Sequence, residues 1–475
     1  MDSVTARGLL DEGLQQLSAQ ENDWVELERF HRGNHDRPFA PEGVSDEYEA
    51  LREMAVAPWL RLVIRTPVQR LRVDGLRQNE SSEADAEAWA NVWKANLLDA
   101  RQRIVYTDSA VHGRGIFSVW PNIDRVESPI IRPESPRSVY MHQKSDDPFS
   151  ADWSIKGWSS RVVEDSTAPR TISNVTIFDD ESFHRFEIGY GKSRLVNSGD
   201  NPLGANPFVE FSPGVDAEGR PQSMIRPLIP MQKAIDTARF DLLLAMQFSA
   251  YRQRVVTGFD PVLRDENGNI RYKTDQNGDP VLDANGNMQP LLATPGRPGV
   301  DRILSFPGAD TKVFDLDESN LANYVEVISS LVQHLAAISQ VPPQYLLGGM
   351  ANLSGEALAA AESTLAALVA DLQLSFQSSF EQVMCLAHRA RGNSDDGPTE
   401  VIWGDGQARA FAQTVDGIQK LISVGFPREA AFEMLPSATI EKVSRWMDMV
   451  KAEQENPYMQ ALLDKDADAG ISEGA

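Results

Sequence analysis

The chain has a single cysteine, Cys385, among 475 residues. One thiol excludes an internal disulfide framework and any zinc site built from cysteine clusters. Cys385 lies between Met384 and Leu386 in a helical pattern with no evident electropositive partner, so it reads as a structural thiol. Long hydrophobic runs are missing too. No stretch approaches about 18 uninterrupted apolar residues, so no membrane span is expected. The opening MDSVTARGLLDEGLQQL lacks the apolar segment of a secretory signal, and a cytoplasmic place of assembly is expected. Positive charge is in deficit: 45 Lys and Arg face 69 Asp and Glu, a formal charge of −24. A chain this acidic should not grip phosphate backbones over a wide face, which takes clustered Lys and Arg. It can still surround nucleic acid without holding it.

Signatures of catalysis and of metal binding are equally sparse. Gly191-Lys192-Ser193 matches the end of a phosphate-binding loop, but Phe186 stands where that motif needs an earlier glycine. The flanks read strand–turn–strand, so a hairpin turn is expected there. Three turns, opening at Asp265, Asp275 and Asp283, place glycine at their fourth position, where a calcium loop needs it at the sixth. Asn-Gly favours hairpin turns instead. His31 and His35 have the spacing of two zinc ligands on one helical face, but Gly33 between them argues that the helix has already ended. No Ser/His/Asp set or paired-carboxylate motif is visible, so no catalytic residue, metal or cofactor is expected.

What is present belongs to a large folded protein. Apolar residues make up 41% and charged residues 24%, and the length calls for two to four sub-domains. The most informative stretch runs from Val341 to Ala390. Pro342 and Pro343 end whatever helix precedes them. Gly348 and Gly349 permit backbone angles closed to other residues. Ser354 suits the cap of the next helix, with Glu356 in its first turn; His388, Arg389 and Arg391 match the far end, and Gly392 its stop. Between Gly355 and Arg391 there is no internal glycine or proline, so one rod of about 55 Å is expected. It reads as a spine.

Elsewhere helices are expected over 3–33, 46–73 around Pro58 and Pro67, and 83–110 with Trp89, Trp93 and Leu97 on one face. Residues 115–211 read as short antiparallel strands. Helix returns at 224–252 and at 318–340, with a small β-rich module between. A strand at TEVIWGD then leads into helices near 406–424, 427–435 and 437–455. The polar tail is expected to be flexible. The fold class is α+β, mainly helical.

Three stretches carry a resemblance: WVELERFHRGNHDRPFAP, the run from Asn206 to Gly258, and ISQVPPQYLLGGMANLSGEALAAAESTL. Their order resembles that of the portal proteins of tailed double-stranded DNA phages, and most of all the portals of phages that infect actinobacteria. The resemblance implies a portal fold with wing, stem, clip and crown. It would place a wing at 1–223, stem helices at 224–254 and 317–340, and a clip at 255–316. A tunnel loop would span 341–354, the spine helix of the wing 355–392, the crown 399–456 and a flexible tail 457–475. It implies a ring, usually of twelve subunits, at one capsid vertex of a virion assembled in the host cytoplasm. Double-stranded DNA would be packaged and ejected through it without sequence-specific binding. The implied partners are further copies of the chain, a terminase, a head-tail adaptor and the major capsid protein or scaffold. DNA-facing tunnel-loop residues would be Gln344, Tyr345, Leu346, Leu347, Gly348, Gly349, Met350, Ala351, Asn352 and Leu353. The stretch Gln344–Gly355 carries no Lys or Arg, as suits a wall that must let a duplex slide. Arg252 and Arg254, expected at the end of the first stem helix, are candidate channel cations; pairing with neighbouring subunits is the other reading. Two alternatives remain open, an acidic soluble enzyme and another phage head-tail connector ring.

Overall fold

A computed structural model describes residues 1–39, 46–78, 85–162, 170–189, 192–250, 254–257, 262–275, 278–282, 286–292, 312–315, 320–348, 355–393, 399–404, 411–435, 438 and 440–454. The chain divides into a larger unit, 1–237 with 328–475, and a smaller one, 238–327.

The larger unit opens with α1 (Ser3–Arg32), started by the Asp2 side chain, which accepts from the Thr5 amide, and stopped by Gly33 at φ 76°. Apolar residues at helical spacing give it two faces of use. Ala6 and Leu10 pack on a sheet with Trp153, Ile155, Val175, Ile177 and Phe186, while Leu27 and Phe30 enter the main core. Gly13 sits between: a Cβ there would lie 2.8 Å from Ile155 Cγ2, so its absence lets helix and sheet close up. Next come α2 (Asp46–Ala55), α3 (Trp59–Val68) and β1 (Val73–Gln78). The expected helix over 83–110 is instead broken into α4 (Ala86–Ala88), a π-helical turn Trp89–Lys94, and α5 (Leu98–His112). The cause is the buried Asn96. Its amide donates to Val92 O and Pro129 O, and its carbonyl accepts from Ile131 N, which holds Leu97 at φ 54°. Trp89 and Trp93 remain on one face, stacked 5.3 Å apart and buried.

The β-rich region then folds as expected, with more strands than the sequence suggested. β2 (Gly115–Trp120) pairs with β3 (Ile130–Glu134) on one side and β9 (Phe208–Phe211) on the other. A meander of β4 (Val139–Gln143), β5 (Ala151–Val162), β6 (Arg170–Phe178), β7 (Ser182–Gly189) and β8 (Lys192–Asp200) forms an antiparallel sheet in that order. Gly189 of β7 pairs with Lys192 of β8, which takes Lys192 and Ser193 into a strand and away from any phosphate loop; Gly191 lies outside the described residues. After a 3-10 turn at Arg226–Leu228, α6 (Ile229–Ala250) leads into the smaller unit.

In that unit β10 (Arg254–Thr257) pairs with β11 (Lys312–Asp315). The helix therefore ends before Arg254, whose backbone is in a strand; Arg252 lies outside the described residues. The turn at Asp265 is a hairpin turn, its carboxylate accepting from the Asn267 and Asn269 amides. Gly268, Gly278 and Gly286 have φ 85–90°, while Asp283 and residues 276–277 and 284–285 lie outside the described residues.

The chain returns through α7 (Leu321–Ser339), a short α8 (Pro343–Leu347) and the spine α9 (Gly355–Ala390, 36 residues). β12 (Thr399–Trp403) pairs antiparallel with β1, so it is tied to the larger unit's core and not only to the helices that follow it. Those are α10 (Phe411–Ser423), α11 (Arg428–Glu433) and α12 (Ile440–Gln454). The C-terminal tail from 455 and Ser354 lie outside the described residues. At the centre Phe380 of the spine meets Trp93, Tyr106, Phe117, Phe211 and Trp403 within 6.3 Å of ring centroid. Gly115 lets β2 approach α5, because a Cβ there would sit 2.2 Å from Val105 O.

Candidate functional site

The segment between α7 and the spine is less loop-like than its glycines suggest. Pro342, at φ −56° and ψ 136°, opens α8, and Gly348 at φ 70° closes it. Thus Gln344, Tyr345, Leu346 and Leu347 form a helical turn, with Leu346 in the main core. Gly348 is exposed, while Gly349, Met350, Ala351, Asn352 and Leu353 lie outside the described residues. Tyr345 is clasped. Its hydroxyl donates to Glu362 Oε1 on the spine and accepts from Arg70 Nη2 at 2.8 Å, and Arg70 also reaches Glu362 at 3.2 Å. The guanidinium lies 5.7 Å from the Tyr345 ring centroid. Burial, then the Glu362 bond, raises the pKa of the phenol. Sequence reasoning missed this clasp, since nothing local pairs Tyr345 with a residue 17 positions away.

A second buried polar node holds the root of α6. His35 Nε2 donates to Asp236 Oδ2 at 2.6 Å, both side chains nearly inaccessible. Asp236 Oδ1 accepts from Ala57 N at 3.2 Å and Gln232 Nε2 at 3.0 Å, and Gln232 donates to Ala57 O at 2.7 Å. His35 also stacks on Phe30 at 4.4 Å. His31 and His35 therefore serve different places: Gly33 ends the helix between them, as expected.

His31 lines a polar cavity of about 350 Å³ between α1, α3 and α5, with Glu28, Arg32, Arg61, Thr107, Asp108, Val111 and His112. Burial, reinforced by Glu28, raises Asp108 from 3.8 to about 7. Burial lowers His112 from 6.5 to about 4, and His31 is lowered by burial and by Arg61. Among the described residues no group of three or more His, Cys, Asp or Glu could hold a metal ion. Cys385 is half-buried on the spine.

The arrangement is that of a scaffold: a long spine, two helices running into an inserted unit, and buried polar nodes at their roots. The comparisons with known proteins give it a family. The family model described as phage portal protein, SPP1 Gp6-like, matches residues 20–456. Similar curated proteins are the portal protein of Mycobacterium phage D29, 28% identical over 85% of this chain and 81% of that one, and the portal protein of Mycobacterium phage L5, 27% identical over 82% and 77%. Among solved structures, the neck of the native GTA particle computed with C12 symmetry is 12% identical, with a TM-score of 0.39 over 85% of this chain and 99% of that one. The neck of the empty GTA particle computed with C6 symmetry has the same identity and TM-score over 82% and 96%. At that score the likeness says nothing about this chain's assembly. With the family model spanning nearly its whole length, the chain belongs to the SPP1 Gp6-like family of phage portal proteins.

The cavity gives a pH dependence with a definite sign. A carboxyl at about 7 in the fold and 3.8 ordinarily keeps a proton that the unfolded chain has released, so its contribution to stability is lost as pH rises from about 4 to about 7. His112 acts oppositely, removing stability as pH falls from 6.5 towards 4. Asp108→Asn is expected to leave the unfolding free energy unchanged near pH 3.5 and to raise it above pH 7 by on the order of 2–4 kcal/mol. Denaturant titrations of both proteins at the two pH values check this; an equal offset at both would contradict it.

Proposed function

We propose that this portal protein forms a closed ring, of twelve subunits as the resemblance implies, at one capsid vertex, and that double-stranded DNA passes through it during packaging and ejection. The observation that supports the ring is α7. It is rich in Leu, Val, Ile and Ala, yet only 17% of an 18-residue stretch of it is buried, and Val325, Val327 and Ile338 are exposed. An apolar helix so uncovered needs a cover. Neighbouring copies in a ring supply one to every subunit alike. Lipid would be the other cover, but Glu326, Gln333 and His334 lie within the helix and disfavour it. Portal protein should therefore have a native mass near twelve times 52.5 kDa. Ile338→Asp should shift that mass towards monomer with helicity retained, since burying an isoleucine contributes roughly 1.5–3 kcal/mol per contact. A monomer or dimer in the unaltered protein would overturn the ring.

In this reading residues 1–223 and the spine build the wing, α6 and α7 the stem, 255–316 the clip and 399–456 the crown. The segment 344–353 is the part that meets DNA. Its DNA-facing groups start at the exposed Leu347, since Leu346 belongs to the core and the Tyr345 hydroxyl is occupied. The protein acts without catalysing a reaction: it must conduct a duplex, so its wall should not hold phosphates. Asn352→Lys, with one new cation per subunit, should leave ring mass unchanged while giving the ring salt-dependent affinity for duplex DNA. A lysine variant with no more DNA affinity than the unaltered ring would place residue 352 away from the DNA.

The clip is the proposed docking surface for the terminase and then for the head-tail adaptor. Its exposed Asx-Gly hairpins and exposed Ile270, Tyr272, Leu282 and Met288 support that role. Deleting 266–289 should keep rings assembled and abolish DNA filling of heads; heads that fill normally would rule out docking through these hairpins.

A further inference from the structure

The two buried polar nodes share one element. At the start of α3, Ala57 binds Asp236 and Gln232 of α6 through both its amide and its carbonyl. Just past the end of α3, Arg70 binds Tyr345 of α8 and Glu362 of the spine. Asp236 lies immediately before the point where the chain passes into the smaller unit, and α8 follows the helix by which it returns. The helix α3 is thus fastened to the outgoing and the returning limb, one at each end.

We infer that α3 is a brace that fixes the roots of the two stem helices relative to each other, and that Asp236 and Tyr345 are the positioning residues through which it does so during DNA passage. The inference rests on the portal reading. Three observations support a positioning role over simple stabilisation. First, each node is built on a buried carboxyl group, Asp236 in one and Glu362 in the other. Buried polar pairs contribute little net stability against apolar replacements and are of most use in specifying geometry. Asp236 is 2% exposed and Glu362 7%. Second, α3 is a stiff connector. Pro58 precedes its first residue and Pro67 occupies its last turn, each locking a backbone angle. Third, α3 has Leu60, Val63 and Ile64 fully in the core and packs on α1, α5, α8 and α9, so a shift at one end cannot be absorbed midway.

If the brace exists, loosening one end loosens the other. Tyr345→Phe removes only the hydroxyl through which Arg70 and Glu362 hold α8, and keeps the ring in place. Asp236→Ala removes the acceptor of the Ala57 amide and so releases one of the two bonds that tie α3 to α6. Hydrogen exchange on assembled full-length rings reads both roots separately, at the amides of 343–347 and of 232–237. Each variant should speed exchange about ten-fold at both roots, the loss of one hydrogen bond to an ionised group. The double variant should add little to either single one, and ring mass should not change. DNA-filled heads made with either variant should fall several-fold. Glu362→Gln, which retains an acceptor for Tyr345, should give a smaller effect of the same pattern. Faster exchange confined to the altered end in both variants would overturn the brace. Faster exchange at both roots with normal DNA filling would overturn its part in DNA passage. A ring that fills no heads even without substitutions would instead count against the portal reading.

Discussion

The larger unit depends on burying one face of the spine helix along most of its length. A helix of 36 residues spans about 54 Å, more than the width of a small core, so many elements must come to it. From α5, β2, β9 and β12 they do, around Phe376 and Phe380. The close approach is set by backbone. Gly115 admits the carbonyl of Val105, and any larger residue would push β2 off α5. Because β12 is paired with β1 across more than 300 residues of sequence, the chain cannot close this core until its last third has been made. Such a long-range pairing carries a loop-closure cost that local helices do not.

Much of this was legible in the sequence wherever local chemistry decided the outcome. Gly33 stops α1 as its left-handed preference requires, Pro58 and the glycine of each Asx turn punctuate as expected, and the spine runs uninterrupted because nothing in it can break a helix. What escaped was tertiary. Asn96 looks like an ordinary surface residue of a helix, yet its bonds to Pro129 and Ile131 break that helix at Leu97. The glycines after Leu347 suggested a loop from Gln344 onward, but the hydroxyl of Tyr345 and the packing of Leu346 extend order up to Gly348. The pairing of His35 with Asp236 spans 201 positions, and no spacing rule reaches so far. A single sequence shows which residues can bond; only the fold shows with whom.

The placement of polar groups in the core follows a pattern with a physical reason. Apolar packing is tolerant: a core of similar volume and pattern can repack at modest cost. Hydrogen-bonded pairs are not tolerant, because a shift of about an ångström breaks them and leaves a buried group unmet. The spine's aromatic core therefore gives cohesion, while the buried polar nodes at Asp236 and Glu362 fix positions at the places where the chain leaves and re-enters. A portal needs both properties in one subunit. Its body must stay closed, and the places where the chain leaves and re-enters the larger unit must keep a defined geometry.

Charge completes the argument. With −24 per chain, a ring of such chains carries a large net negative charge, which disfavours the holding of DNA. Repulsion alone would not distinguish a channel from an acidic surface elsewhere. Some cations of the larger unit are spent on internal pairs. Arg70 is turned to Glu362, Arg114 to Glu210, Arg137 to Glu21 and Glu28, and Lys156 to Glu134. These four are paired within the fold, but Arg61, Arg65, Arg103 and Lys192 are exposed, so internal pairing withdraws only part of the positive charge. The excess of acidic residues over basic ones therefore weighs more against holding a duplex than the pairing of a few cations does.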